Sequence, residues 1–352
     1  MFRMLALCIG LMIATAAWAG TKSDCEQHED EDLSIEACTK LIKQDRHDAD
    51  AYASRATAYQ QKGEIDKAIA DLSKAAELES ENVSHLVNRG LLYDDKKDYE
   101  RALADFNAAV KLCQRDLCTP HGKSAAYIDR SNVYLHLQDH DRAMADANAA
   151  IEATPDGAKG YAARGGVYYE KKDHARAIED LSKAIKIDPN NADFYSNRGL
   201  SYLDSEDYDH AIEDYSKSIE LDPAGVSGYK GRRGEAYDAK LDFDRALADY
   251  TTVLKSDPEN PLYLSNRCFI YLRIGEWDRA IDDCTRAIAA RDDAYYFSAY
   301  RGFAKFAKAD FRAAAADLLT ALGTKDDTSA VLITSATDPK RTSKRCGAHV
   351  RC

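Results

Sequence analysis

His136 and His140 stand four residues apart, a spacing that on one helix would turn two imidazoles toward a shared metal ion. The run His28 to Asp32, "HEDED", offers the hard carboxylate oxygens that calcium takes. Neither reading fits the register of the surrounding chain. A recurring pattern, set out below, places His136 and His140 on either side of a turn between helices. It also gives His140 and His174 the position that aromatic residues hold elsewhere. The acidic run reads as a solvated helix start, where negative charge complements the helix dipole. The chain has no glycine-rich phosphate loop, no nucleophile elbow and no His-Glu-x-x-His helix. No catalytic residue, metal or cofactor is therefore predicted.

Cysteines are the other reactive group. Of nine, Cys8 lies in an apolar leader and the remaining eight form close pairs: Cys25 with Cys38, Cys113 with Cys118, Cys268 with Cys284, and Cys346 with Cys352. An even number of paired thiols with no zinc-like spacing predicts disulfides and an oxidising compartment. The leader agrees. Arg3, an apolar run from Leu5 to Ala17 and the small-x-small ending Ala17-Trp18-Ala19 predict a secretory signal over residues 1–19, cut before Gly20. Retention of the leader as an anchor is the alternative. The predicted location is periplasmic or secreted, with no stable membrane span after cleavage. The 352 residues are 45% hydrophobic and 31% charged, with formal net charge -12. Such a chain folds, and its acidic balance argues against nucleic acid as partner.

The elements that carry these residues are announced by arginine. Arg55, Arg89, Arg130, Arg164, Arg198, Arg233, Arg267 and Arg301 recur at intervals of 34, 41, 34, 34, 35, 34 and 34 residues. One residue later stands Gly in five copies and Ala56, Ser131 or Cys268 in the others. Tyrosine follows four later in all but the last copy, where Lys305 stands, and alanine thirteen later in all eight. Sixteen residues after each arginine comes aspartate: Asp71, Asp105, Asp146, Asp180, Asp214, Asp249, Asp283 and Asp317. Eight arginines matched to eight aspartates predict a ladder of structural ion pairs, because a guanidinium keeps its charge and fits a carboxylate bidentately. Pairing of each aspartate with the next copy's arginine is the alternative. In the lone segment Asp32–Asp45, Ala37 stands where the ladder aspartate would be and there is no arginine of its own, which favours pairing within a copy.

These residues resemble the tetratricopeptide repeat, a helix–turn–helix unit of about 34 residues patterned on small, Tyr, Ala, aromatic and Pro positions. The resemblance implies an all-α, right-handed superhelical solenoid of eight repeats after an N-terminal half-repeat; Sel1-like repeats, with a longer and more variable period, fit less well. On this register residues 20–48 form an extension and capping half-repeat. Full repeats occupy 49–82, 83–116, 124–157, 158–191, 192–225, 227–260, 261–294 and 295–328, with an insertion loop at 117–123. Residues 329–352 form a C-terminal cap and a basic tail containing Lys340, Arg341, Lys344, Arg345 and Arg351.

The resemblance also implies a function. In this family first helices line a groove that binds extended peptides or partner helices. Transferred by position, the middle of the groove is polar and acidic, with Asp94, Asp95, Asn132, Tyr169, Glu170, Leu203, Asp204, Glu235 and Asp238. Its far end is apolar, with Phe269, Leu272, Phe303 and Phe306, unless these pack between neighbouring first helices. The lysines of the family's carboxylate clamp are not in place. The expectation is an exported scaffold or adaptor with a protein or peptide partner, not an enzyme. The alternative is an architectural part of an envelope or secretion complex held by its convex face; metal-dependent or enzymatic activity is the remote one.

Overall fold

The computed structural model describes residues 20–27, 29–290 and 295–322. The signal segment, His28, the pair Cys346 and Cys352, and the basic tail lie outside the described residues. Every regular element described is a helix. The chain divides into two compact units between Ile187 and Asp188.

In the first unit a helical segment over residues 20–26 leads into α1 (Glu31–Gln44). Four hairpins follow: α2 (Ala49–Gln61) with α3 (Ile65–Leu78), α4 (Val83–Asp95) with α5 (Tyr99–Cys113), α6 (Pro120–His136) with α7 (His140–Ala153), and α8 (Ala158–Glu170) with α9 (His174–Ile187). The second unit repeats the plan: α10 (Ala192–Asp204) and α11 (Tyr208–Leu221), α12 (Val226–Ala239) and α13 (Phe243–Ser256), α14 (Pro261–Ile274) and α15 (Trp277–Ala289), and α16 (Tyr295–Ala307) and α17 (Phe311–Leu322). Within each unit a hairpin packs on the next. Helix starts are capped by side chains such as Asp48, Asn82, Asp98 and Asn191, each accepting from a backbone N–H of the first turn.

One boundary differs from expectation. Residues 117–123 do not form a loop throughout, because α6 begins at Pro120 and runs 17 residues. Thr119 accepts from Gly122 N, and Pro120 occupies a first-turn position whose N–H would have no partner anyway. The shortened link is closed by a disulfide between Cys113 and Cys118. In the sixth repeat, Val226 already belongs to the first helix.

The core of each hairpin is a size-matched pair. The residue after the arginine meets the residue seventeen after it: a Cβ added to Gly90 would lie 2.8 Å from Phe106, and one added to Gly234 would lie 2.7 Å from Tyr250. Where the later residue shrinks to Ala147, the earlier one is Ser131, which donates to Ala143 O. In the seventh repeat both positions are cysteine. Cys268 and Cys284 are wholly buried and disulfide-bonded, their α-carbons 5.6 Å apart. Cys25 and Cys38 likewise tie the leading segment to α1.

The arginines lie inside this packing. In all eight repeats Nε donates to Oδ2 of the aspartate sixteen later at 2.7–2.8 Å. A second nitrogen donates to Oδ1 at 2.6–3.0 Å. Pairing is thus within the copy, across the hairpin. The remaining nitrogen reaches the helix before: Arg55 donates to Thr39, Arg89 to Ser73, Arg130 to Asn107, Arg164 to Asn148, Arg233 to Ser216, Arg267 to Thr251 and Arg301 to Thr285. Each guanidinium therefore closes its own hairpin, and in these seven repeats it also fastens the hairpin to the element before. The α1 half-repeat supplies Thr39 as the first such acceptor.

The turn inside each hairpin is equally regular. The eighth residue after every ladder arginine adopts positive φ, whether it is Gly63, Lys97, Gln138, Lys172, Glu206, Leu241, Gly275 or Ala309. In the sixth repeat, Leu241 N donates to Asp238 O and Asp242 N to Tyr237 O, closing the first helix by the left-handed residue. Asp242 then caps the next helix by accepting from Arg245 N.

Two outcomes test this architecture. Arg198→Ala strands the buried Asp214 and should cost about 2–4 kcal/mol, between the values for exposed and fully buried pairs. A denaturation double-mutant cycle with Asp214→Ala should return clear coupling, and zero coupling would remove the ladder as a stabilising device. Leu241→Gly should raise the unfolding free energy by about 1 kcal/mol, because a branched side chain at positive φ is strained and Leu241 is exposed. Unchanged or lowered stability would contradict the turn geometry.

Candidate protein-interaction surface

Within each unit, first helices lie beside one another: α4 against α6, α6 against α8, α10 against α12, and α14 against α16. Their free faces are the candidate surface. The position five residues after the ladder arginine decides its character. Leu203 holds that position in the fifth repeat and Leu272 in the seventh, and both pack inward. Leu203 lies against Ala211, Tyr215 and Ala236, and Leu272 joins a buried cluster with Cys268, Cys284 and Ala304. Leu203 is half-buried and Leu272 buried, so packing on these neighbours takes up most of each side chain. Phe303 packs on the same cluster with its ring edge-on to Trp277. Phe269 contacts Tyr300 and the guanidinium of Arg273. Of the expected apolar end, Phe306 is the residue left mostly exposed, at 57%, touching Phe311.

Asp94 and Asp238 occupy the same inward position in the second and sixth repeats. Burial raises both carboxyl pKa values, and that of Asp238 is pushed up to about 6. Asp238 is answered from within the chain. Arg273 of the next first helix donates to it at 3.2 Å and stacks over the Phe243 ring, 4.5 Å from its centre. Glu235, one turn earlier, accepts from Arg232 at 3.1 Å.

In the first unit the corresponding acid lacks such a partner. Asp94 Oδ1 is buried and accepts no hydrogen bond, while Oδ2 lies 3.8 Å from His136 Nε2. The imidazole of His136 stacks on Tyr99, with ring centres 5.4 Å apart. On the neighbouring helix, burial and the nearby Asp94 push the Asp129 carboxyl up to about 6, with Lys159 acting against them. No hydrogen bond or ion pair to Asp129 occurs among the described residues. Asn132 and Glu170 are exposed on the same series of helices, and Tyr169 is half-buried with its ring edge-on to His174. Asp204 is half-buried in the second unit.

His136 ends α6 and His140 begins α7, so the two imidazoles belong to different helices. No group of three or more potential metal ligands occurs among the described residues. Asp129, Lys159, Arg232 and Arg273 were not legible as site residues. The available signal was an acid, Asp94 or Asp238, at a position that the other copies fill with Gln, Leu, Tyr or Phe.

Successive helical hairpins with a polar first-helix face define a helical-repeat protein. Sequence comparison sharpens the class: models described as tetratricopeptide repeat match residues 54–116 and 232–295, 124–156 and 192–224, and one described as TPR repeat matches 165–205. The chain belongs to the tetratricopeptide repeat proteins and has their all-α fold. Among solved structures it is similar to a tetratricopeptide repeat protein from Parabacteroides merdae, at 17% identity and TM-score 0.50, covering 73% of this chain and 99% of that one. It is also similar to PilF of Pseudomonas aeruginosa, at 17% identity and TM-score 0.53, covering 60% of this chain and 97% of that one. Among curated proteins nothing matches the sequence.

The desolvated carboxylate has a measurable consequence. The Asp129 carboxyl titrates near 6 when folded, against about 3.9 in an unfolded chain. Between those values the folded state holds the extra proton, so this group's contribution to stability falls as pH rises from about 4 to 6. Asp129→Asn should therefore stabilise the protein at pH 7 by roughly 2 kcal/mol and by little at pH 4. Urea denaturation at both pH values measures the difference. A variant less stable than wild type at pH 7 would show that Asp129 has a charge partner.

Proposed function

We propose that this chain is an exported scaffold that holds a segment of a partner protein against the first-helix face. Asp94 and Asp129 carry this reading. They are carboxylates set on adjacent first helices, desolvated at a cost to stability, and no hydrogen-bond donor reaches Asp94 Oδ1 or Asp129 among the described residues. Perturbed charges that do nothing for the fold concentrate at functional sites. Membership of a repeat family that serves protein interaction is in keeping with it. Three disulfide bonds, at Cys25–Cys38, Cys113–Cys118 and Cys268–Cys284, support an oxidising compartment, as does the leader sequence. No helix among the described residues is long and apolar enough to cross a membrane.

Site-specific photo-crosslinking separates this reading from attachment through the second helices. A crosslinker at Asn132 or Glu170, both exposed on first helices, should give one discrete adduct in cells. A crosslinker at Glu179, exposed on α9, should not. Adducts arising from Glu179 alone would assign the protein to a purely architectural role.

A further inference from the structure

The sixth and seventh repeats show what completes a buried acid at the inward first-helix position. Asp238 stands five residues after its ladder arginine, Phe243 ten after it, and Arg273 six after the next ladder arginine. These three form one unit, with the guanidinium lying on the ring and donating to the carboxylate. The same three register positions in the second and third repeats hold Asp94, Tyr99 and His136. There the ring-stacked cation position is filled by an imidazole, which is shorter than an arginine side chain and presents one nitrogen toward the acid. It stops 3.8 Å from Asp94 Oδ2 and leaves Oδ1 buried without a donor. A desolvated acceptor without a donor is costly, and the fold elsewhere gives each ladder aspartate a bidentate guanidinium. Asp94 is also the penultimate residue of α4, followed by Asp95, at the negative pole of the helix dipole. The adjoining α6 adds Asp129, which has no ion pair among the described residues; Lys159 on α8 opposes its shift only through the field of its charge.

We propose that the first-helix face of repeats 2 and 3 binds an arginine side chain of a partner protein, its guanidinium received by Asp94 and Asp129 beside the Tyr99–His136 stack. The occupant is a basic protein segment. Charge complementarity and the internal Asp238–Arg273–Phe243 precedent both favour a guanidinium, which can donate to two carboxylates at once. A metal ion is disfavoured, since no cluster of three ligating side chains is found among the described residues. Burial that raises the carboxyl pKa values of Asp94 and Asp129 is the expected state of such a receptor before its cation arrives.

The inference rests on the scaffold reading above and is tested separately from it. Full-length protein is titrated with fluorescent Gly-Arg-Gly-Arg-Gly-Arg-Gly peptide, and with the same peptide carrying citrulline, a neutral isostere of arginine. The arginine peptide should bind at least about tenfold tighter than the citrulline one (roughly 1.4 kcal/mol). Asp94→Asn with Asp129→Asn should abolish most of that difference. Removing equal charge at exposed second-helix positions, Glu152→Gln with Asp244→Asn, should change it less than about twofold, the scale expected of screened surface charge. Circular dichroism melts of both double variants confirm that each is folded, and if Asp94→Asn with Asp129→Asn unfolds, Asp129→Asn alone replaces it. Equal losses in the two double variants, or equal affinity for the arginine and citrulline peptides, would overturn the proposal. If those results came with intact crosslinks from Asn132, the scaffold reading would stand without the arginine site. Loss of first-helix crosslinks with arginine binding retained would sink the scaffold reading instead.

Discussion

The structure depends on a guanidinium that serves two helices of one hairpin and the element before it. Two nitrogens of each ladder arginine grip the aspartate of its own hairpin, and in repeats such as the fourth the third nitrogen reaches a polar side chain on the preceding helix. The aspartates are 1–7% exposed. An acid buried so far is tolerable because both its oxygens are satisfied by a fixed positive charge that cannot be deprotonated. The fork also dictates the packing around it. It holds the two helices at the separation that a glycine facing an aromatic, a serine facing an alanine, or a disulfide then fills.

Weaker charges decorate the same frame. Lysines at the ends of α2, α4, α8, α12 and α16 pair with aspartates at the start of a second helix in the element before, as Lys171 does with Asp141 at 3.3 Å. These pairs are solvent-exposed and contribute little each. Another set works within the turn: Arg101, Arg142, Arg176 and Arg245 bond the aspartate that caps their own helix and lie 4.5–4.7 Å over the tyrosine four residues after the ladder arginine. The tyrosine is thus walled by packing on one side and a cation on the other. Against this background of satisfied charge, Asp94 and Asp129 stand out by chemistry rather than by position. The scaffold answers every ladder aspartate with a guanidinium, and the acids on the first-helix face of repeats 2 and 3 depart from that rule.

The array was legible because its cause is periodic. A helical hairpin that buries one stripe on the next must repeat its small residue, tyrosine, alanine and aspartate at one interval, so counting residues between arginines suffices to find it. The within-copy pairing of arginine and aspartate followed from the constant offset and from the bare half-repeat. The third hydrogen bond, to Thr39, Ser73 and their equivalents, was not legible, since Ser, Thr and Asn look like ordinary surface residues at those places. How far Leu203 and Leu272 are covered was not legible for a related reason. Position within a repeat gives the helix face, but not which part of that face the next hairpin covers.

The sequence alone therefore determined the repeating helical hairpins and the charge ladder, because each is set by interactions local to one repeat or between adjacent ones. What only the tertiary structure decided is which acids go unanswered. Asp94 and Asp238 are indistinguishable by register. One meets Arg273 and the other a shorter His136, and that difference exists only across the gap between two first helices, where side-chain length and burial set whether a carboxylate finds its donor.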